Sequence, residues 1–230
     1  MIAENIQKIR ERIAVAAARV SRDPAEITLV CVTKARSIEQ IREVISSGLK
    51  YIGENRIQEA LLKYNQLSAV DQQADIKWQM IGNLQSNKVR DALKVFDLIH
   101  SVDSIALAEE INKQAVKINK VQDILIEVKT SPEETKFGVG PESTLQLVCQ
   151  VQQFKNIKIK GLMTIAPVVD HAEKARPYFR QLRELLNKVN KQLPDGDQLS
   201  TLSMGMSDDF QVAIEEGATI VRIGRAIFES

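Results

Sequence analysis

Short apolar runs alternate with longer amphipathic segments along most of the chain. The apolar runs predict β-strands over Ile27 to Thr33, Tyr51 to Glu54, Lys77 to Ile81, Asp97 to Val102, Ile124 to Thr130, Ile159 to Ile165, Leu199 to Met204 and Thr219 to Ile223. The amphipathic segments repeat apolar residues at spacings of three and four, which predicts helices. They include an N-terminal helix ended by Ser21 to Pro24, and the stretches Ser37 to Ser47, Arg56 to Leu67, Ser104 to Ile118 and His171 to Gln192.

About eight strand-helix units follow one another at a spacing of roughly 20 to 35 residues, as in a barrel of parallel strands. Several strands, such as TLVCV and DILIEV, are apolar on both faces, which is typical of strands covered by helices outside and filled by side chains inside. We therefore predict an α/β protein with a single (β/α)8 TIM-type barrel over residues 1–230, plus the extra N-terminal helix. A doubly wound open sheet is the alternative, which strand count and length disfavour.

Composition and charge limit the kinds of partner that are expected. The 31 basic and 30 acidic residues leave a net charge of +1, which gives no global attraction to nucleic acid or to an anionic membrane. No apolar stretch reaches the roughly 18 to 20 residues of a membrane span, and charges interrupt any signal peptide. The two cysteines do not indicate a disulfide framework, and the two histidines lack zinc-ligand spacing. We expect a cytoplasmic protein without a metal, whose partners are small molecules or other proteins.

Lys34 is a candidate reactive amine, because active sites of such barrels form at the C-terminal ends of the strands. Val30, Val32 and Lys34 alternate onto one face of the first strand. If that face points inward, Lys34 is partly desolvated, which lowers its pKa towards a nucleophilic amine. Lys129, ending the fifth strand, is a positional competitor, and a lysine that snorkels at the surface is the ordinary alternative.

The strands near the C-terminus indicate a phosphate site. The seventh strand runs into the segment 202–209 (LSMGMSDD), where Gly205 permits a sharp turn and Ser203 and Ser207 offer hydroxyl groups ahead of a helix. The eighth strand ends in VRIGR, with Gly224 at its junction with the next helix and Arg225 after it. The loops after these two strands commonly bind phosphate in TIM barrels. Helix capping is the alternative role for this segment.

A lysine amine beside a phosphate site suits a phosphorylated aldehyde, either pyridoxal 5′-phosphate or an aldolase substrate. Arg222 favours the first, because a permanently charged donor placed against a pyridine nitrogen would keep that nitrogen unprotonated. A salt bridge at the barrel rim is the other role open to it. Asp208 and Asp209 count against the phosphate site, since their carboxylates would repel the anion if they pointed at it.

A series of motifs resembles one known family in order and over nearly the whole chain. They are VCVTK at Lys34, IGEN at 52–55 with Gln58-Glu59, WQMIGNLQSNK at 78–88, KFG at 136–138, GLMT at 161–164, SMGMSDD at 203–209 and RIGRAIF at 222–228. The chain resembles the pyridoxal phosphate homeostasis proteins (the YggS/PROSC group). The resemblance implies a barrel like the N-terminal domain of alanine racemase, without that enzyme's second domain, and a role in vitamin B6 and amino-acid homeostasis.

The resemblance also implies site residues. Lys34 would hold pyridoxal 5′-phosphate as a Schiff base, Arg222 would face the pyridine nitrogen and Asn55 would lie near the ring. The residues implied around the phosphate are Ser203, Gly205, Ser207, Gly224 and Arg225. Three positions depart from the family pattern: Gln79 stands where histidine is frequent, Arg225 where serine or threonine is frequent, and Glu229 where glycine is usual.

The sequence leaves three functions open. A racemase needs a second acid/base opposite the lysine, to exchange the proton on the other face of the substrate. The tyrosines are not well placed for this role, because Tyr51 lies at the start of a strand and Tyr64 and Tyr178 lie within helices. We therefore expect a non-catalytic carrier or regulator of pyridoxal phosphate, monomeric, with transient contacts to enzymes that require the cofactor. A racemase or lyase of narrow specificity is the alternative, and a barrel used only as an interaction scaffold is a weaker third.

Overall fold

Eight parallel strands form a closed barrel in the computed structural model, which describes residues 1–68, 75–131, 133 and 137–229. The strands are β1 (Thr28–Val32), β2 (Tyr51–Glu54), β3 (Lys77–Met80), β4 (Leu98–Val102), β5 (Gln122–Glu127), β6 (Ile157–Met163), β7 (Thr201–Ser203) and β8 (Ile220–Ile223). They pair in sequence order, and β1 closes the sheet by pairing with β8, with Val30 opposite Arg222. The predicted barrel is confirmed and the open sheet is excluded.

Nine α-helices surround the barrel within the described residues. They are α1 (Ile2–Ala18), α2 (Ile38–Ser46), α3 (Ile57–Ser68), α4 (Val89–Val95), α5 (Ile105–Lys117), α6 (Pro141–Val151), α7 (Arg176–Asn190), α8 (Phe210–Glu215) and α9 (Arg225–Phe228). The extra N-terminal helix α1 buries Ile6, Ile9 and Ile13 and packs against α8 and α9. Apolar burial on that stripe holds α1 beside the last two strand-helix junctions.

Some boundaries differ from the predicted ones for local reasons. Strand β1 stops at Val32 because the chain turns at Lys34 and Ala35, and Ala35 takes the left-handed φ of +57°. Helix α7 begins at Arg176 rather than at His171, because residues 172–175 form a tighter 3-10 turn. Lys136 of the KFG motif lies outside the described residues.

The barrel interior is polar near the C-terminal ends of its strands. Gln79, His100, Thr164, Ser203 and Arg222 come from different segments of the chain and are all buried there. Buried polar groups are tolerated only when they are hydrogen-bonded, so this cluster requires a specific arrangement of partners. No helix of the described residues is long and apolar enough to cross a membrane.

Candidate functional site

A cavity of about 600 Å³ opens at the C-terminal ends of the strands, between the junctions that follow β1, β6, β7 and β8. It is lined by five of the eight predicted site residues: Lys34, Ser207, Arg222, Gly224 and Arg225. The other three, Asn55, Ser203 and Gly205, belong to the same end of the barrel but do not line the cavity wall. The fold thus brings the lysine, the arginine and both glycine junctions to one place.

Lys34 sits in a tight turn directly after β1. The backbone N–H of Ala35 donates a hydrogen bond to Oε1 of Glu59, over 2.6 Å, which fixes the turn from the side of α3. The Lys34 side chain is exposed, so the predicted desolvation of this amine is wrong. The inward face of the strand is as predicted, because Val32 and Lys34 both line the cavity. The amine is therefore open to a ligand that enters from the mouth.

A buried lysine, Lys63 of α3, supports that turn from behind and is only 6% exposed. Its Nζ donates to the backbone oxygen of Thr33 at 2.6 Å, to Oε1 of Glu54 at 2.7 Å and to Oε1 of Glu59 at 2.6 Å. The Thr33 hydroxyl donates to the same Glu54 oxygen. Burial raises the pKa of Glu54, and the hydrogen bonds from Lys63 and Thr33 oppose that rise. This cluster holds the backbone on both sides of Lys34.

Sequence reasoning missed this cluster, although one signal for it was available. Glu59 and Lys63 are four residues apart on a predicted helix, which places them on one face. The pattern alone suggests an exposed ion pair. Only the fold shows that Glu54, from the end of β2, lies beneath that pair and draws Lys63 into the interior.

Lys129 is separated from the site by the fold. It lines a different cavity, together with residues of α6 and α7 such as Pro141 and Gln181. Its backbone N–H donates to the oxygen of Val139, beside the isolated bridge between Val128 and Val139. Of the two strand-end lysines, only Lys34 therefore lies in the cavity that also holds Arg222.

Arg222 is held rigidly inside the barrel, where it is 4% exposed. Its Nη1 donates to the Ser203 hydroxyl at 2.6 Å and its Nη2 to the backbone oxygen of Thr164 at 2.9 Å. Ser203 Oγ is also 3.0 Å from Nδ1 of His100, whose Nε2 is 2.8 Å from Oε1 of Gln79. Arginine can only donate, so the serine proton points to Nδ1 and the Nε2–H of His100 donates to Gln79.

The charges in this interior follow from burial. Burial lowers the pKa of Arg222 to about 10, while Glu127 and Asp209 oppose the shift, so the guanidinium stays protonated at neutral pH. Burial and the charge of Arg222 lower the pKa of His100 well below its usual range, which keeps the imidazole neutral. Burial raises the pKa of Glu127 to about 7, helped by Asp103 and opposed by Arg222. Arg222 is therefore a fixed cation next to a neutral histidine.

Both glycine junctions are tightly packed, and Gly205 requires glycine. Gly205 has a φ of +93°, and a Cβ there would lie 2.5 Å from Cβ of Ala213. At Gly224 a Cβ would lie 3.2 Å from the backbone oxygen of Val32. Between the two junctions the Ser207 hydroxyl accepts a hydrogen bond from the N–H of Ala226, at 3.3 Å. The absence of a side chain lets the loop after β7 pack closely on α8 and lets the junction after β8 pack closely on the end of β1.

Both aspartates of the SMGMSDD motif line the cavity, but each carboxylate is engaged by a partner. Oδ1 of Asp209 accepts a hydrogen bond from the N–H of Met206 at 2.6 Å, and burial raises the pKa of this inward-facing carboxyl. Asp208 forms an ion pair with Arg225 at the rim. The expected repulsion of an anion is therefore weakened, because one carboxylate is turned into the loop and the other is neutralised.

The three departures from the family pattern each have a partner. Gln79 accepts the hydrogen bond of His100 described above. The side chain of Arg225 neutralises Asp208. Glu229 accepts a hydrogen bond from Nη2 of Arg36 at 2.6 Å, and the Arg36 guanidinium lies over a phenylalanine ring of α9. The substituted side chains are thus integrated into the structure rather than left unpaired.

Asn55 and the tyrosines complete the set of candidate site residues. Oδ1 of Asn55 is buried at the end of β2 and has no hydrogen-bond partner among the described residues. Of the three tyrosines, Tyr51 lies at the opposite end of the barrel, Tyr64 packs edge-on against Trp78, and Tyr178 packs on the core from α7. All three are among the described residues, and none lines the cavity.

Comparison with known proteins identifies the relatives of this chain. The sequence model of the family described as "Alanine racemase, N-terminal domain" matches residues 4–230. Curated relatives named pyridoxal phosphate homeostasis protein are 53% identical in Aquifex aeolicus and 38% identical in Pasteurella multocida, each over 122 residues. Each match spans 53% of this chain, and the chain spans about half the length of these curated relatives.

Solved structures agree over more of the chain. PipY of Synechococcus elongatus, solved with PLP bound, is 36% identical with a TM-score of 0.87, over 99% of this chain and 100% of that one. An alanine racemase of Clostridium difficile is 13% identical with a TM-score of 0.73, over 95% of this chain and 58% of that one, and so shares the fold. The family resemblance predicted from the motifs is confirmed.

Proposed function

This chain belongs to the alanine racemase N-terminal domain family, and on that premise we propose that it binds pyridoxal 5′-phosphate in vitamin B6 and amino-acid homeostasis. The observation that carries the proposal is the shared cavity of Lys34, Arg222 and the two junctions after β7 and β8. The names of the curated relatives, and the PLP bound to PipY, support the same ligand.

The residues at the cavity fit this cofactor. Bound pyridoxal phosphate supplies an aldehyde that reacts with an amine and a ring that delocalises electrons. Lys34 offers an exposed amine, and we assign it the covalent attachment as a Schiff base. Arg222, locked as a donor by Ser203 and Thr164, would face the ring nitrogen. Asn55, with its buried and unpartnered Oδ1, would lie near the ring.

The phosphate would lie at the end of the cavity formed by the last two strands. Ser207, Gly224 and Arg225 line this end, and Gly205 shapes the loop beside it. Ser203 is the predicted phosphate contact with the least support, because its hydroxyl is already engaged by Arg222 and His100. We therefore assign Ser203 the role of positioning Arg222, rather than that of contacting the phosphate directly.

We propose that the protein carries or regulates the cofactor without turning over a substrate. Racemisation requires proton exchange on both faces of the substrate, hence a second acid/base opposite the lysine. Among the described residues, no tyrosine lines the cavity. An exposed lysine at an open mouth suits transfer to enzymes that require the cofactor. We further propose that residues 1–230 form one domain and that the protein is monomeric and cytoplasmic.

Equilibrium binding tests the proposal. Titration of the purified chain with pyridoxal phosphate should produce a saturable visible absorption band. That band should be lost in Lys34→Ala and retained in Lys129→Ala, which removes a strand-end lysine outside the cavity. The loaded protein should then show no racemisation and no exchange of Cα hydrogen for deuterium with common amino acids. Exchange at enzymatic rates that depends on Lys34 would favour the racemase or lyase instead.

A further inference from the structure

Arg12, from the N-terminal helix, lines the same cavity as Lys34. Helix α1 is not one of the strand-helix units that build the barrel, and none of the family motifs includes Arg12. It reaches the mouth because α1 packs against α8 and α9, the helices that follow β7 and β8. Its guanidinium therefore belongs to the end of the cavity assigned to the phosphate.

The Arg12 guanidinium is held in place by two contacts of different kinds. It lies 4.6 Å from the centroid of the Phe210 ring, and that ring is fully buried. Its Nε and Nη2 donate to Oε1 of Gln211 at 3.2 and 2.8 Å. Two of the five donor hydrogens are used in this way, so donors remain for a ligand. The side chain is thus pre-oriented although it is exposed.

The charge of Arg12 is not cancelled by a neighbour. Gln211 is neutral, and within the part of the chain that the structure describes no carboxylate forms an ion pair with Arg12. Arg225, the other arginine at this end, is committed to Asp208. Of these two arginines, Arg12 is therefore the one whose charge is not paired with a carboxylate, among the described residues, at the end where an anion would bind.

We propose that Arg12 is a phosphate-recognition residue that makes the site prefer pyridoxal phosphate over unphosphorylated pyridoxal. The inference rests on the proposed function and extends it to the choice of ligand. A charge-assisted hydrogen bond to an exposed phosphate accounts for an affinity difference of about tenfold. The same contact makes no difference to pyridoxal, which has a hydroxyl group in place of the phosphate.

Binding constants for the two ligands test the role of Arg12. The full chain and the variants Arg12→Gln, Arg12→Lys and Arg10→Gln are titrated separately with pyridoxal phosphate and with pyridoxal. Arg10 is the matched control, because it lies on the same helix but faces Gly48 at the opposite end of the barrel. We expect Arg12→Gln to lose about tenfold in affinity for pyridoxal phosphate and nothing for pyridoxal. Arg12→Lys, which keeps the charge, should recover most of the loss, and Arg10→Gln should match the wild type.

Three results with the glutamine variants would overturn the role of Arg12. They are an unchanged affinity of Arg12→Gln for pyridoxal phosphate, an equal loss for both ligands, and an equal loss in Arg10→Gln. A loss in Arg12→Lys as large as in Arg12→Gln would likewise exclude recognition by charge. A wild-type chain that binds neither ligand would overturn the proposed function itself. Binding by the wild type is measured first, so failure of the proposed function is distinguishable from failure of the role of Arg12.

Discussion

Replacement of Lys63 by methionine measures how much the buried cluster behind the Lys34 turn contributes to stability. The substitution keeps most of the apolar volume but removes the cation that contacts Thr33, Glu54 and Glu59. Glu54 is 0% exposed, and in the variant its Oε1 keeps only the Thr33 hydroxyl as a donor. The variant therefore leaves a carboxylate in a site that cannot solvate it.

The magnitude follows from the difference between buried and exposed ion pairs. Removing one partner of a buried pair costs about 3–5 kcal/mol, because the other charge remains buried without compensation. Typical domains have a total stability of about 5–15 kcal/mol, so a large part of it would be lost. Glu54→Gln combined with Lys63→Met leaves no buried charge, and the double variant should be more stable than Lys63→Met alone.

Urea unfolding at neutral pH, followed by circular dichroism, measures this loss. Lys94→Met is the matched control, because Lys94 forms an ion pair with Asp91 over the similar distance of 2.9 Å but is 53% exposed. Its substitution should change the free energy of unfolding by less than about 1 kcal/mol. If Lys63→Met lost no more than Lys94→Met, the cluster would not be the support that the geometry indicates.

Two further predictions concern the barrel interior and the loop after β7. The pKa of Glu127 is raised by burial from 4.5 to about 7, so the stability that this group contributes is present below pH 4.5 and lost as the pH rises through 7. The free energy of unfolding of Glu127→Gln, measured with urea, should therefore rise by about 3 kcal/mol relative to that of the wild type as the pH is raised from 4.5 to 8. A difference that does not change with pH would contradict the raised pKa of Glu127. Gly205→Ala should lose about 2 kcal/mol or more in thermal or urea unfolding, because strain at φ +93° adds to the clash with Ala213. Gly196→Ala, at φ +95° with open space around it, should lose only the strain, so equal losses would argue against the clash.

The fold was largely predictable because alternation and helical periodicity carry the order of the elements. The apolar run at Thr28–Val32 and the spacing of Ile6, Ile9 and Ile13 gave β1 and α1 directly. Closure was harder to predict, because the pairing of Val30 with Arg222 depends on residues that are distant in sequence. Periodicity does not contain that register.

The meeting of Lys34 and Arg222 in one cavity was predictable, because each lies at or just after the end of a strand. The site was not predictable where distant elements meet. From the sequence, Lys63 is half of an exposed helical ion pair, and only the fold places Glu54 beneath it. Arg12 belongs to the polar face of an amphipathic helix, and only the packing of α1 against α8 brings it to the cavity. The exposure of Lys34 was also wrongly predicted, since the turn at Ala35 ends the strand two residues before the lysine.

Chemical trapping shows which lysine carries pyridoxal phosphate. The purified chain is incubated with the cofactor, reduced with borohydride so that an imine becomes a stable amine, digested and mapped by mass spectrometry. We expect the added pyridoxyl phosphate mass on the peptide that contains Lys34, at one equivalent per chain, and we expect it to be absent from Lys34→Ala. Stoichiometric modification of Lys129 or another lysine, with Lys34 unmodified, would contradict the attachment to Lys34.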